Sequence, residues 1–348
     1  MTAPGTVAEV ATRVLKPDVA ALDAAARTLA AGGLVAFPTE TVYGLGADAG
    51  NGEAIARLYA AKGRPAFNPL IAHLSSVAAA RKLARFDTAA ERLAAAFWPG
   101  PLTLVLPKAA DCPVAPLATA GLDSVAVRLP QHPVAQDLLR AFGGPVVAPS
   151  ANRSGHVSPT TAAHVLTDLG GRIDLIVDDG ATPVGLESTI VACLGEAFGK
   201  PALLRPGGVP RAAIEEVLRA PLTDASALRG QTAPRAPGML ASHYAPNTRL
   251  RLEATHVDPG DALLAFGPAL AEHAADAVKV LNLSARGDLI EAAANLFSHL
   301  RALDAARAET IAVMPIPHHG LGEAINDRLR RAATPHLSPP KKHYGRGS

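Results

Sequence analysis

Apolar positions recur along the chain at two spacings. Over 18–31 alanine and leucine mark one face of a helix, closed by Gly32-Gly33, since glycine suits a helix C-terminus. A continuous apolar run at 34–37 predicts a buried strand, followed by a hydroxyl-rich turn containing Thr39, Glu40, Thr41 and Tyr43. Helical spacing resumes over 53–62, and 69–73 reads as a strand. A helix over 77–84 has Ser75 or Ser76 available as its cap. Thr88 and Glu91 form a capping-box pattern ahead of Leu93, Ala96 and Phe97, in a helix that stops at Trp98-Pro99-Gly100-Pro101. Strands are predicted over 102–106, 124–129 and 145–148, with a helix over 133–142 between the last two. Ser158-Pro159 is expected to start a helix reaching Leu169. Strands over 173–177, 188–194 and 202–205 and a helix over 211–219 complete this part. Several strands are consecutive, which favours a twisted mixed sheet over a doubly wound one.

The pattern breaks over 221–247, which holds Pro221, Pro234, Pro237, Gly238 and Pro246. A stretch longer than ordinary loops reads as an interdomain linker that is mobile or serves a site. Beyond it, apolar runs at 249–253, 262–266, 278–283 and 310–314 alternate with helices over 288–306 and 321–333. That alternation predicts a smaller Rossmann-like α/β domain with a parallel sheet. The expected organisation is therefore a domain over 1–220, a linker over 221–247, a second domain over 248–335 and a basic tail over 336–348.

Composition narrows the function classes. The chain has 348 residues, 49% of them hydrophobic, enough for two cored domains. Only 4% are aromatic and the net charge is +2, so neither base-stacking platforms nor a global basic field points to nucleic acid. No acidic residue follows Asp327, and the basic end reads first as a solvated tail. The two cysteines, Cys112 and Cys193, give neither a disulfide framework nor a zinc spacing, which fits a reducing cytoplasm. No signal peptide and no membrane-spanning run is read.

Two stretches stand out chemically. Lys62 and Arg64, in KGRPAFNPL, follow a strand–loop–helix and can converge on an anion, although an ordinary basic turn carries equal weight on this pair alone. PSANRSGHVSPT places Ser150, Asn152, Ser154 and Ser158 in a loop after a strand, where α/β folds bind ligands. Arg128 at a strand end reads as a solvated tip, His73 as a packed polar residue and His318-His319 as solvated. Asp178-Asp179 reads as a magnesium site or a common turn. GxxxxGK[ST], GxSxG and HExxH are all absent.

FPTETVYGLG, KGRPAFNPL, WPGPLTLVL, AVRLP, PSANRSGHVSPT, LESTIV and LLRPGGV occur in this order. Together they strongly resemble the YrdC/Sua5 family of L-threonylcarbamoyladenylate synthases, over about residues 15–220. APGMLASHYAP and the second domain resemble its long Sua5 form. The resemblance implies a YrdC-like domain with a smaller C-terminal domain, acting as a cytoplasmic nucleotidyltransferase in tRNA processing. L-threonine, bicarbonate (or CO2) and ATP would give threonylcarbamoyl-AMP and pyrophosphate. The product would pass to a tRNA threonylcarbamoyl transferase complex, for the adenosine next to the anticodon.

By the same resemblance, Thr41, His73, Arg128 and Ser188 would hold threonine, with Arg128 on its carboxylate. Arg64, Asn68, Ser124, Ser150, Ser158, Arg205 and Tyr244 would hold ATP. Lys62 would lie against phosphate or carbamate, with Asn152 supporting that pocket. Magnesium would come with ATP and its waters, with no protein metal site. The family's linker usually reads SPGM, a basic residue, then HYAP; here Ala236 replaces the serine and Leu240-Ala241-Ser242 supplies no basic residue. Met239, His243 and Tyr244 are expected to keep the cover over the site, without an ionic clamp from 240–242. Two other classes compete: an RNA-binding module of the same fold, disfavoured by charge and aromatic content, and another carbamoyl-transfer enzyme, whose zinc-finger module two cysteines cannot build. Neither a membrane nor stable nucleic-acid binding is expected.

Overall fold

The computed structural model describes residues 10–195, 199–224 and 244–334. In chain order its elements are β1 (Arg13–Leu15), α1 (Val19–Ala30), β2 (Val35–Pro38), β3 (Tyr43–Asp48), α2 (Gly52–Lys62), β4 (Ile71–His73), α3 (Val77–Leu83) and α4 (Thr88–Phe97). Then come β5 (Leu102–Pro107), β6 (Ser124–Arg128), α5 (Pro133–Phe142), β7 (Val146–Val147), α6 (Ala162–Leu169), β8 (Leu175–Val177), β9 (Thr189–Ala192), β10 (Ala202–Arg205), α7 (Arg211–Leu218) and β11 (Thr223–Asp224). The C-terminal unit holds β12 (Arg249–Arg251), β13 (Ala262–Ala265), β14 (Val280–Asn282), α8 (Leu289–Asp304), β15 (Thr310–Val313) and α9 (Gly322–Ala333).

The expected mixed sheet is present. Its order among the described residues is β1-β8-β2-β3-β7-β4-β6-β5-β9-β10-β11. Parallel pairs such as β4 with β6 and β5 with β9 alternate with antiparallel ones such as β5 with β6. On one face α2, α4, α6 and α7 bury Leu58, Leu93, Val165 and Ile214 against the strands. On the other, α1 and α5 cover β2, β7 and β8 through Leu29, Leu138 and Val146. The second sheet, β12-β15-β13-β14, is parallel throughout, as its alternation with helices predicts.

Local chemistry corrects several details. Asp87, not Thr88, caps α4: its carboxylate accepts from the Ala90 amide at 2.8 Å, and Thr88 is already helical. Ser158 does not start α6. Thr161 does, accepting from the His164 amide at 3.3 Å, while the Ser158 hydroxyl is engaged elsewhere. Part of the hydroxyl-rich turn and the GLGAD segment form β3, antiparallel to β2. Glycines there imitate a loop, but the register needs one at 46, where a Cβ would meet the Phe37 ring at 2.9 Å. The first residues of the expected linker form β11, parallel to β10. The remainder, 225–243, with Met239, the 240–242 segment and His243, lies outside the described residues, as does the tail over 336–348.

The two units are tied by buried and partly buried contacts. Arg301 on α8 pairs with Asp168 on α6 at 2.7 Å. Arg211 on α7 meets Glu323 on α9 at 3.1 Å. Gly185 lies against the α8 backbone, where a Cβ would come within 2.4 Å of the Ala293 carbonyl oxygen. No helix among the described residues is long and apolar enough to cross a membrane.

Candidate active site

Strand register assembles the cleft. Parallel pairing places His73 opposite Arg128 at the ends of β4 and β6. The β2–β3 turn brings Thr41, the stretch before β9 brings Ser188, and β10 ends in Arg205. With Arg64, Ser150, Glu187 and Tyr244 they line a small cavity of about 40 Å³. Crevices beyond strand ends are the usual ligand sites of α/β sheets.

The Arg128 side is neutralised. Its NH2 donates to the Glu40 carboxylate at 2.7 Å and to the Thr41 hydroxyl at 3.0 Å, in an almost fully buried pair. The other Glu40 oxygen accepts from the Gln131 amide. NH1 of Arg128 has no partner among the described residues. So Arg128 is no solvated tip: a buried carboxylate orients the guanidinium and leaves NH1 for a second carboxylate.

His73 is fully enclosed, and its Nδ1 lies 3.1 Å from the Ile71 carbonyl oxygen. A carbonyl only accepts, so Nδ1 carries the proton and Nε2 offers a lone pair. Burial, then the Arg128 charge, lower its pKa to about 3. The ring is thus a neutral acceptor near pH 7. The substrate affinity it supports is expected to show no titration from this group between pH 5 and 8, checked by the KM profile. The unfolded chain takes up a His73 proton near its ordinary 6.5 while the fold does not, so stability falls as pH drops from 6.5 towards 3. The loss is at most about 1.4 kcal/mol per pH unit for each such histidine, and His73→Asn should flatten it in thermal melts.

Near Arg64, two cations have no carboxylate partner among the described residues. Nζ of Lys62 donates to the carbonyls of Ser150 and Asn152. Burial, then the Arg64 charge, push its pKa well below the ordinary value, with Asp168 opposing. Arg64 donates to the Pro69 carbonyl at 3.2 Å, and its buried Nε has no partner among the described residues. Burial lowers its pKa to about 10, so it stays charged. Among the described residues neither cation has a carboxylate within 4.0 Å. Burying charge without a counter-charge is unfavourable unless a ligand supplies it.

Arg205 donates to the Ser188 carbonyl at 2.8 Å and to its hydroxyl at 3.2 Å. That hydroxyl also lies 2.7 Å from the Thr103 hydroxyl. Tyr244 is buried beside Arg205 in the left-handed region, φ 65°, where a tyrosine is strained. Stacking on Phe297 at 5.8 Å holds it there.

Lys62, Asn68, Ser124, Asn152 and Ser158 do not line the cavity. Lys62 and Asn152 hold the 150–156 loop from behind, Asn152 donating to the Arg153 and His156 carbonyls while its Oδ1 lacks a partner. Asn68 presents its backbone carbonyl to Tyr59 and Arg64. Ser124 begins β6, about 13 Å along the strand from Arg128. Ser158 donates to Glu187 at 2.5 Å. Among the described residues no group of three or more His, Cys, Asp or Glu converges on a metal-sized space. Asp178 is taken by Lys16 and the Tyr43 hydroxyl, and His318 and His319 are exposed.

The sequence reading assigned no function to Glu40, Glu187 and Arg328. The signal for the carboxylates is an acid flanked by small hydroxyl residues within otherwise buried stretches, TET and EST. For Arg328 it is a position on the apolar stripe of α9 with Ile325, Leu329 and Ala332.

Comparison with known proteins places the chain in a family. Residues 27–207 match the Sua5_yciO_yrdC family model, described as telomere recombination, and residues 209–334 match the threonylcarbamoyl-AMP synthase C-terminal domain model. The threonylcarbamoyl-AMP synthase of Bacillus subtilis is 41% identical over 86% of this chain and 89% of its own length. That of Pyrococcus abyssi is 42% identical over 87% of this chain and 91% of its own length. The crystal structure of P. abyssi Sua5 complexed with L-threonine superposes with a TM-score of 0.81, at 37% identity, covering 92% of this chain and 97% of that one.

Proposed function

Since the chain belongs to the Sua5 family of threonylcarbamoyl-AMP synthases, we propose that its cleft joins L-threonine, bicarbonate-derived CO2 and ATP into threonylcarbamoyl-AMP, releasing pyrophosphate. The observation carrying this reading is the division of one cleft into two charge environments. On one side is a compensated Arg128 beside a neutral His73; on the other, Arg64 lines the cavity and Lys62 lies behind its serine loop, neither with a carboxylate partner among the described residues.

Arg128 takes the threonine carboxylate on its NH1, assisted by Thr41. The Nε2 lone pair of His73 accepts from the threonine amine or hydroxyl, and Ser188 supplies a further hydroxyl. A pKa of about 3 makes His73 an orienting acceptor rather than a base. The amine adds to CO2, losing a proton to give the carbamate. A carbamate oxygen then attacks the α-phosphorus as the bond to pyrophosphate breaks. Positioning and charge neutralisation suffice for such a displacement. Arg64 and Arg205 face the cavity for the phosphates, and Ser150 offers a hydroxyl on a loop braced by Lys62. Asn68 and Ser124 would act from the cavity's margin. Mg2+ would come chelated by phosphate oxygens and water, neutralising charge on the leaving pyrophosphate. The product would pass to a tRNA threonylcarbamoyl transferase complex.

Purified protein given ATP, threonine and bicarbonate should release pyrophosphate and form an adenylate of the expected mass. No product that depends on all three substrates would sink the reading.

A further inference from the structure

Glu187 presents an electrostatic problem. It lines the cavity together with Arg64 and Arg205, where a polyanion is expected, yet it is itself a carboxylate. Burial would raise its pKa, but Arg328, Arg205 and the Ser158 hydroxyl hold it at about 2, so it is ionised. Its Oε1 accepts from Ser158 at 2.5 Å and its Oε2 from Nε of Arg328 at 2.8 Å. Arg328 belongs to the C-terminal unit, 141 residues away in sequence, and is completely buried. Its NH2 donates to the Pro206 carbonyl at 3.0 Å, next to Arg205, and its guanidinium lies 5.0 Å from the centre of the Tyr244 ring. Its NH1 meets Asp327, which is also held by Arg331 at 3.0 Å.

We infer that Arg328 is a positioning residue of the nucleotide subsite: it neutralises Glu187, so that the carboxylate fixing Ser158 can stand in a cavity that receives a polyphosphate. The same guanidinium braces Tyr244 and the Pro206 backbone, so docking of α9 sets both the charge and the shape of this wall. Without Arg328, Asp327 keeps Arg331, and Glu187 is left facing the phosphates with its larger counter-charge gone and only Arg205, itself needed for the phosphates, beside it.

The inference rests on the proposed ATP reaction, and the test separates the two. Full-length wild type, Arg328→Met, Glu187→Gln and the double variant are compared by steady-state kinetics and by calorimetric binding of a non-hydrolysable ATP analogue. Arg328→Met should weaken analogue binding and raise the KM for ATP by roughly 10- to 100-fold, leaving the KM for threonine within about twofold. Adding Glu187→Gln should recover most of that loss, because it removes the carboxylate charge while keeping an acceptor for Ser158. A purely structural role for Arg328 predicts equal losses for both substrates and no recovery; either result overturns the inference. If Arg328→Met does not fold, the double variant decides alone: weak analogue binding by a folded double variant also overturns it. Wild type that binds no analogue would instead sink the ATP reading itself.

Discussion

Lys62→Met is expected to lower kcat/KM for threonylcarbamoyl-AMP formation by roughly 10²- to 10³-fold, the usual loss when a preorganised charged donor is removed. Its ammonium contacts the carbonyls of Ser150 and Asn152. From behind that loop, Lys62 acts on bound phosphate through its charge and through the position it gives Ser150. Burial and the Arg64 charge disfavour the ammonium in the ligand-free protein. An arriving polyphosphate supplies the missing counter-charge and restores it. The lysine therefore couples ATP binding to the shape of the serine loop. Stability should change little, by about 2 kcal/mol or less, because two opposing terms are of similar size. Methionine leaves two carbonyls short of a donor, about 1–3 kcal/mol each, but it also removes the desolvation penalty of a buried charge. Pyrophosphate release and a thermal melt check both halves; a folded variant with full activity would remove Lys62 from the mechanism.

Arg128→Ala is expected to raise the KM for threonine about 10²-fold or more while the KM for ATP moves little. Charge-assisted hydrogen bonds of about 1.5–3 kcal/mol each, with tenfold in affinity per about 1.4 kcal/mol, set this scale. Here stability should fall as well. Glu40 loses its 2.7 Å partner and stays buried with only the Gln131 amide, and breaking such a pair costs roughly 3–5 kcal/mol. Arg128→Lys separates the two effects. It keeps a charge for Glu40, so much of the stability returns, but it lacks the planar fork, so threonine binding stays impaired. An unchanged threonine KM in folded Arg128→Ala would show that the carboxylate binds elsewhere.

Much of this was legible in the chain. Apolar periodicity found helices and strands within a few residues, including α5 and β10 at their observed limits and the parallel second sheet. Caps were harder, because several hydroxyl or acidic residues compete within one turn: Asp87 displaced Thr88, and Thr161 displaced Ser158. β3 was hidden because its glycines answer a close approach across the sheet rather than a turn. In the cleft, ordered motifs pointed to Thr41, Arg64, His73, Arg128, Ser150, Ser188, Arg205 and Tyr244, which line one cavity.

The sequence by itself determined most of the elements, the mixed and parallel sheets and the stretches bearing chemistry, since these follow from local spacing and residue type. Only the tertiary structure decided which charges are compensated. Nothing near Arg128 in sequence says that Glu40 holds it, and nothing near Glu187 says that Arg328 does; those pairs span 88 and 141 residues. Whether a buried cation is already neutralised or still needs an anion depends on what the fold places within a few ångströms, because Coulomb energy in a low-dielectric interior follows distance in space and not along the chain.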